Sequence, residues 1–192
     1  MGSVPSAAGG IDPSDVEAYS IGNSIGVRQL PPSERADAQR FVNTLVGVAY
    51  RGDDRAQLDG LAEKLKGRAW YFEPPPPTHS YWAISKQIAS FDPSEAWRKV
   101  TAPVLLVYGA HDERVPPVES ATAIQAALAS SGNRSVTLDM FPDADHTFTI
   151  VDPSRKGGWP KHEPTYSNTL VTWVLALKSP PSPRSQPELP IQ

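Results

Sequence analysis

The most restrictive stretch of this 192-residue chain is Pro103-Val104-Leu105-Leu106-Val107-Tyr108, an unbroken apolar and β-branched run that stops at Gly109. A strand with no polar face must be buried on both sides, and such strands belong to parallel sheets covered by helices. The following residues agree. Pro117 to Ser131 puts Ala121, Ile124, Ala127 and Leu128 on one helical face, with Gly132 as its stop. Ser135 to Phe141 then alternates Val136, Leu138 and Met140 against Thr137 and Asp139, which reads as a second strand. Strand, helix and strand within about 40 residues form one βαβ unit, and its two strands must run parallel. The expected fold class is therefore α/β. Beyond a long loop, Tyr166, Leu170, Trp173, Val174 and Leu177 predict a closing amphipathic helix.

Upstream of residue 100 the pattern is helical. Ser14 to Leu30 is a helix candidate weakened by Gly22 and Gly26. Ser33 is a candidate N-cap for a stronger helix whose inner face carries Ala38, Phe41, Val42, Leu45, Val46 and Ala49, ended by Gly52. Asp54 opens another, with Leu58, Leu61, Ala62 and Leu65 at helical spacing and Gly67 at its close. A further helical stretch runs near Tyr81 to Ala89. Asp92-Pro93-Ser94-Glu95 then has the order of a capping box for a short helix to Lys99. Proline divides these parts: 21 of 192 residues is about twice the usual ~5%. Pro74 to Pro77 reads as a stiff polyproline spacer. The expected organisation is a flexible N-terminus at 1–12, a helical cap or lid at 13–100, an α/β core at 101–178 and a proline-rich disordered tail at 179–192.

Composition removes several classes of function. With no Cys, disulfide scaffolds, thiolate zinc sites and cysteine nucleophiles are excluded. No apolar run reaches the ~18 residues of a membrane span, and a net charge of −3 argues against nucleic-acid or anionic-membrane partners. Met1 to Gly10 has no Lys or Arg and no apolar core of a signal peptide, so a cytoplasmic location is favoured.

Ligands of α/β folds sit beyond the carboxyl ends of the strands. Two loops leave those ends, Gly109-Ala110-His111-Asp112-Glu113-Arg114-Val115-Pro116 and Pro142-Asp143-Ala144-Asp145-His146-Thr147-Phe148. Parallel strands bring both loops to one edge, where Asp112 and His146 can meet. A carboxylate that accepts from an imidazole fixes its tautomer and stabilises the imidazolium formed in proton transfer. Turn-forming Asp and loop-capping His are the structural alternatives. A divalent metal held by His111, Asp112, Asp143, Asp145 and His146 is a further alternative. Asp145 rivals Asp112 as the acid, though adjacent residues rarely face each other. His79 and His162 read as surface residues, and Gly157-Gly158-Trp159-Pro160 as a cleft flap or a packing turn. Trp70, Tyr71, Phe72, Tyr81 and Trp82 read as packing residues, with a cap pocket as the alternative.

Ala102 to Pro117, followed by Phe141-Pro-Asp-Ala-Asp-His-Thr-Phe148, resembles the C-terminal part of an α/β-hydrolase, nearest to the dienelactone-hydrolase and prolyl-oligopeptidase-like serine hydrolases. The resemblance implies that Asp112 is the triad acid and His146 the triad base. It implies hydrolysis of an ester, thioester or peptide bond in a small-molecule or peptide substrate; no cofactor or metal is expected. The nucleophile is where the chain departs from the pattern. Its one Gly-x-Ser-x-Gly match is Gly22-Asn23-Ser24-Ile25-Gly26, but a nucleophile elbow needs a buried strand before it and a helix after it. Asp15 to Ile21 is too polar for that strand, and Pro31-Pro32 stops any long helix. Ser24 thus reads as a helix or loop serine. The expectation is the last two strands of a hydrolase sheet behind a helical cap. Its open edges call for the N-terminal half of the fold or a second copy. A non-catalytic interaction module that keeps half the fold is the alternative.

Overall fold

A computed structural model of the chain describes residues 2–6, 8–152, 154 and 159–178. The proline-rich tail, and Gly157 and Gly158 of the suggested flap, lie outside the described residues. The elements run α1 (Pro13–Ser24), α2 (Pro32–Val46), α3 (Arg55–Leu65), α4 (Ser80–Ile88), α5 (Pro93–Arg98), β1 (Val104–Gly109), α6 (Pro117–Ser130), β2 (Val136–Phe141) and α7 (Tyr166–Lys178), with a 3-10 turn at Val27–Gln29 and a π-helix at Gly47–Arg51. The fold is mixed α/β. Its sheet pairs β1 with β2 in parallel, from Val104 opposite Val136 to Gly109 opposite Phe141.

Capping chemistry explains most helix starts. Asp12, Asp54 and Asp92 each accept a hydrogen bond from a backbone N–H two residues on, and Pro follows Asp12 and Asp92 where its missing N–H costs nothing. Two boundaries differ from expectation. The first helix ends at Ser24, because Gly26 takes a left-handed conformation (φ 66°) and the chain tightens into the 3-10 turn. The next begins at Pro32 behind an extended Pro31, which places Ser33 inside the first turn instead of at the cap.

Three cores follow from these elements. Ala38, Phe41, Val42, Leu45 and Val46 of α2 meet Leu58, Ala62 and Leu65 of α3, with Val27 and Trp70, in a helical core of their own. On one face of the sheet, Val104, Leu106 and Tyr108 pack on Ala121, Ile124 and Leu128 of α6 and on Trp97 of α5. On the other face, Leu105, Val107 and Phe141 pack on Phe148 and on Tyr166, Leu170 and Trp173 of α7. Every residue of β1 is buried, as its unbroken apolar run demands. The strand β2 is only partly covered, with Leu138 39% exposed.

The N-terminus departs from the flexible segment expected at 1–12. Residues 3–6 lie parallel along the edge of β1 away from β2, with bridges from Ser3 to Val104 and from Ser6 to Val107. Ser3 N donates to Pro103 O (2.9 Å), Leu105 N to Ser3 O (3.0 Å) and Val107 N to Pro5 O (3.4 Å). The cause is the obligation of a buried strand to pair its backbone polar groups on both sides. Tyr108 Oη adds a bond to Ala8 O (2.7 Å), and Ser6 Oγ lies 3.0 Å from Tyr166 Oη. The closing helix also differs in part: Val174 and Leu177, assigned inward, are 40% and 42% exposed. The sheet beneath α7 reaches only far enough to cover its Tyr166–Leu170–Trp173 side. Among the described residues no helix is long and apolar enough to cross a membrane.

Candidate active site

The loop after β1 presents Asp112 from the carboxyl end of a wholly buried strand. Its carboxylate is fully enclosed and fully used. Oδ1 accepts from Arg114 N and Val115 N, both at 2.8 Å, and Oδ2 lies 2.9 Å from His146 Nδ1. The two backbone donors fold the loop back in an Asx turn, which orients the remaining oxygen toward the imidazole. An ionised carboxylate only accepts, so Nδ1 carries the proton and Nε2 keeps its lone pair. The His146 side chain is one-third exposed, whereas that of Asp112 is wholly buried. Among the described residues Nε2 has no hydrogen-bond partner. The pair can therefore take a proton from a group arriving at the open side of the ring.

The loop after β2 holds His146 in place through its own network. Asp145 Oδ1 accepts from Thr147 N (2.8 Å), Thr147 Oγ1 (2.8 Å) and Thr149 N (2.9 Å). Phe148 sits at a left-handed φ of 58° and buries its ring against Phe141 and Tyr166, at 5.7 and 4.3 Å between centroids. Burial works to raise the Asp145 carboxyl. The Thr149 and Thr147 donors and the nearby His146 outweigh it, and the net shift is downward. Asp145 is thus committed to its loop and does not compete with Asp112 for the imidazole. Because its folded pKa is depressed, its contribution is complete above the ordinary value of 3.8 and is lost as pH falls through the lowered one. An acid titration followed by the Thr147 and Thr149 amide shifts is expected to show this loop loosening only below that ordinary value.

Backbone bonds weld the two loops together. Ala110 N donates to Phe141 O and His111 N to Ala144 O, both at 2.9 Å. The join needs a glycine: a Cβ at Gly109 would overlap the backbone carbonyls of Ala144 and Asp145. Gly109→Ala is therefore expected to force the loops apart, at a cost of about 1–3 kcal/mol in stability. The low-field Nδ1 proton of His146 should disappear from the NMR spectrum; if it persists unchanged, this account of the weld fails.

Helix α1 clasps the same loop from the helical side. Tyr19 Oη donates to Asp112 O (2.7 Å) and Asn23 Nδ2 to Glu113 O (3.0 Å), from positions one turn apart. The Arg28 guanidinium lies 5.3 Å from the centre of the Tyr19 ring. Sequence reasoning missed both residues, and only their i, i+4 spacing hints at a shared face.

Other candidates fall elsewhere. Ser24 is the exposed last residue of α1, and its Oγ donates to Ile21 O (2.8 Å). Gly22 lies within the same helix and Gly26 just past it, so the motif forms a helix terminus and no strand-to-helix elbow. Among the described residues no hydroxyl bonds to His146. His111 and Asp143 are exposed, and no group of three His, Asp or Glu among the described residues is placed to hold a metal. His79 caps α4 by accepting from Tyr81 N (3.1 Å), and exposed His162 bridges Thr149. Trp70, Tyr71 and Phe72 gather around Phe41 as packing.

A family model described as the prolyl oligopeptidase family matches residues 59–173, a span that contains both loops. No curated protein and no solved structure matches the chain significantly.

Proposed function

Because the chain belongs to the prolyl oligopeptidase family, we propose that it forms the acid–base part of a serine hydrolase with an α/β-hydrolase fold. In this reading His146 is the general base and then the general acid, Asp112 orients it, and helices α1 to α4 cap the substrate cleft. The observation that carries the reading is the 2.9 Å contact between a fully buried Asp112 and a partly open His146. The nucleophile is a serine from a segment outside these 192 residues, which also supplies the oxyanion donors. Its placement rests on Ser24, whose helical setting lacks the strained turn that exposes a nucleophile.

The chemistry balances as follows. The serine hydroxyl gives its proton to His146 Nε2 while its oxygen bonds to the carbonyl carbon of an ester, thioester or peptide bond. The tetrahedral adduct collapses, the bond to the leaving group breaks, and Nε2–H protonates that group. Water then repeats the cycle on the acyl-serine and releases the acid. Asp112 remains a carboxylate throughout and stabilises each imidazolium.

A fluorophosphonate probe tests this directly. The 192-residue chain is expected to remain unlabelled, and a chain extended by the upstream coding sequence to label on a serine outside these residues. Labelling of Ser24 would overturn the assignment of the nucleophile. An extended, folded chain that resists the probe would leave the non-catalytic interaction module as the better reading.

A further inference from the structure

A second site lies in the helical part and takes no role in the chemistry above. A solvent-open pocket of about 530 Å³ forms between the π-helix Gly47–Arg51 and the facing side of α4. That volume falls within the ~300–1,000 Å³ range of small-molecule sites. It is lined by the apolar Val48, Ala49, Pro77 and Trp82 and by the cations Arg51, Arg55 and Lys86. A π-turn is rare, and such turns are frequent at functional sites. Here it continues directly from α2, and a left-handed Gly52 (φ 75°) closes it.

The walls are preorganised. Trp82 Nε1 donates to Pro76 O (2.8 Å), and Arg55 Nη1 donates to Pro75 O (3.2 Å). The same guanidinium lies 4.7 Å from the centre of the Trp82 ring. The proline rod is therefore a fixed strut to which both an aromatic wall and a cation are tied. The charges do not cancel. Arg55 is paired with Asp59 at 2.7 Å and Arg51 loosely with Asp53 at 3.7 Å, whereas Lys86 has no ion pair among the described residues.

We propose that this pocket binds a small monoanion that carries a flat apolar body, such as an aromatic carboxylate. The apolar lining of Val48, Ala49, Pro77 and Trp82 takes the body, and Lys86, the lining cation with no ion pair among the described residues, takes the charge. A larger polyanion finds too few free cations, and a neutral ligand leaves Lys86 unused. The inference does not rest on the hydrolase reading, since no residue of this pocket belongs to the Asp112–His146 pair.

Benzoate is a suitable probe for the 192-residue chain, with neutral benzamide and inorganic phosphate as controls. Saturable shifts of the Trp82 indole N–H resonance, assigned through Trp82→Phe, are expected with benzoate. Benzamide should bind about tenfold more weakly, and Lys86→Gln, a surface change, should weaken benzoate about fivefold with an unchanged circular-dichroism spectrum. Equal binding of benzoate and benzamide would overturn the role of Lys86. Equal binding of phosphate would overturn the apolar body, and an unshifted Trp82 resonance at millimolar benzoate would overturn the site.

Discussion

His146→Ala is expected to lower kcat/KM of the extended, probe-reactive chain by about 10⁴- to 10⁶-fold, with KM little changed. The size follows from the role: without the imidazole no group accepts the nucleophile's proton, and the loss falls on the transition state alone. Asp112→Asn should cost about 10⁴-fold. The amide nitrogen can take the place of Oδ2, which then offers Nδ1 a donor where it needs an acceptor. The proton moves to Nε2, and the base becomes unable to accept. The loop contacts of Asp112 to Arg114 N and Val115 N separate this electronic effect from a structural one. Asp112→Ala loses both effects and should also destabilise the fold. His162→Ala, at an exposed bridge residue, should leave activity within about twofold, in line with surface substitutions generally. Comparable losses for His146→Ala and His162→Ala would refute the assignment.

The largest loss of stability is expected from Phe41→Ala, about 3–5 kcal/mol. Phe41 is wholly buried, and its ring lies 6.2, 5.5 and 5.3 Å from Trp70, Tyr71 and Phe72. Truncation removes the hub of that aromatic group and leaves a cavity that α2 and α3, held by Leu45 and Leu58, cannot close. Urea unfolding should show the midpoint falling with little change in slope. The effect should also reach the site. Ala18 and Ile21 of α1, and Ile25 at its C-cap, pack on this core, and α1 carries the Tyr19 and Asn23 clasp on the Asp112 loop. Phe91→Ala, at a side chain 55% exposed, is the control and should stay within about 0.5 kcal/mol. A Phe41→Ala protein as stable as the Phe91→Ala protein would mean that the helical core contributes little.

Local chemistry made the helices and strands readable. Asp54 and Asp92 sit at the caps, the α2 and α3 faces are buried where the 3.6-residue spacing placed them, and β1 is covered on both sides. The meeting of Asp112 and His146 was readable for a topological reason, because parallel strands place both following loops at one edge. What escaped was set by tertiary contact. Ser3-Val4-Pro5-Ser6 is short, polar and interrupted by proline, and its value lies entirely in the unpaired edge of a strand about 100 residues away, beyond the reach of local patterns. Val174 and Leu177 follow the helical period faithfully, yet exposure depends on how far the sheet extends beneath them. The clasp by Tyr19 and Asn23 shares this character, since its acceptors are backbone carbonyls that carry no residue preference.

The pairing of residues 3–6 with β1 makes neighbours in the sheet of two segments separated by the whole helical part. Parallel neighbours need a connection of only about a dozen residues, and α5 already packs against α6 beside the sheet. The intervening helices α1 to α4 thus lie within a single crossover, with α1 tied back to the Asp112 loop through Tyr19 and Asn23. Loop-closure entropy rises by only about 0.6 kcal/mol for each doubling of length, so such a crossover can lengthen or shorten at small topological cost. The paired edge that carries Asp112 and His146 is fixed by β1 and β2, whatever the length of that crossover.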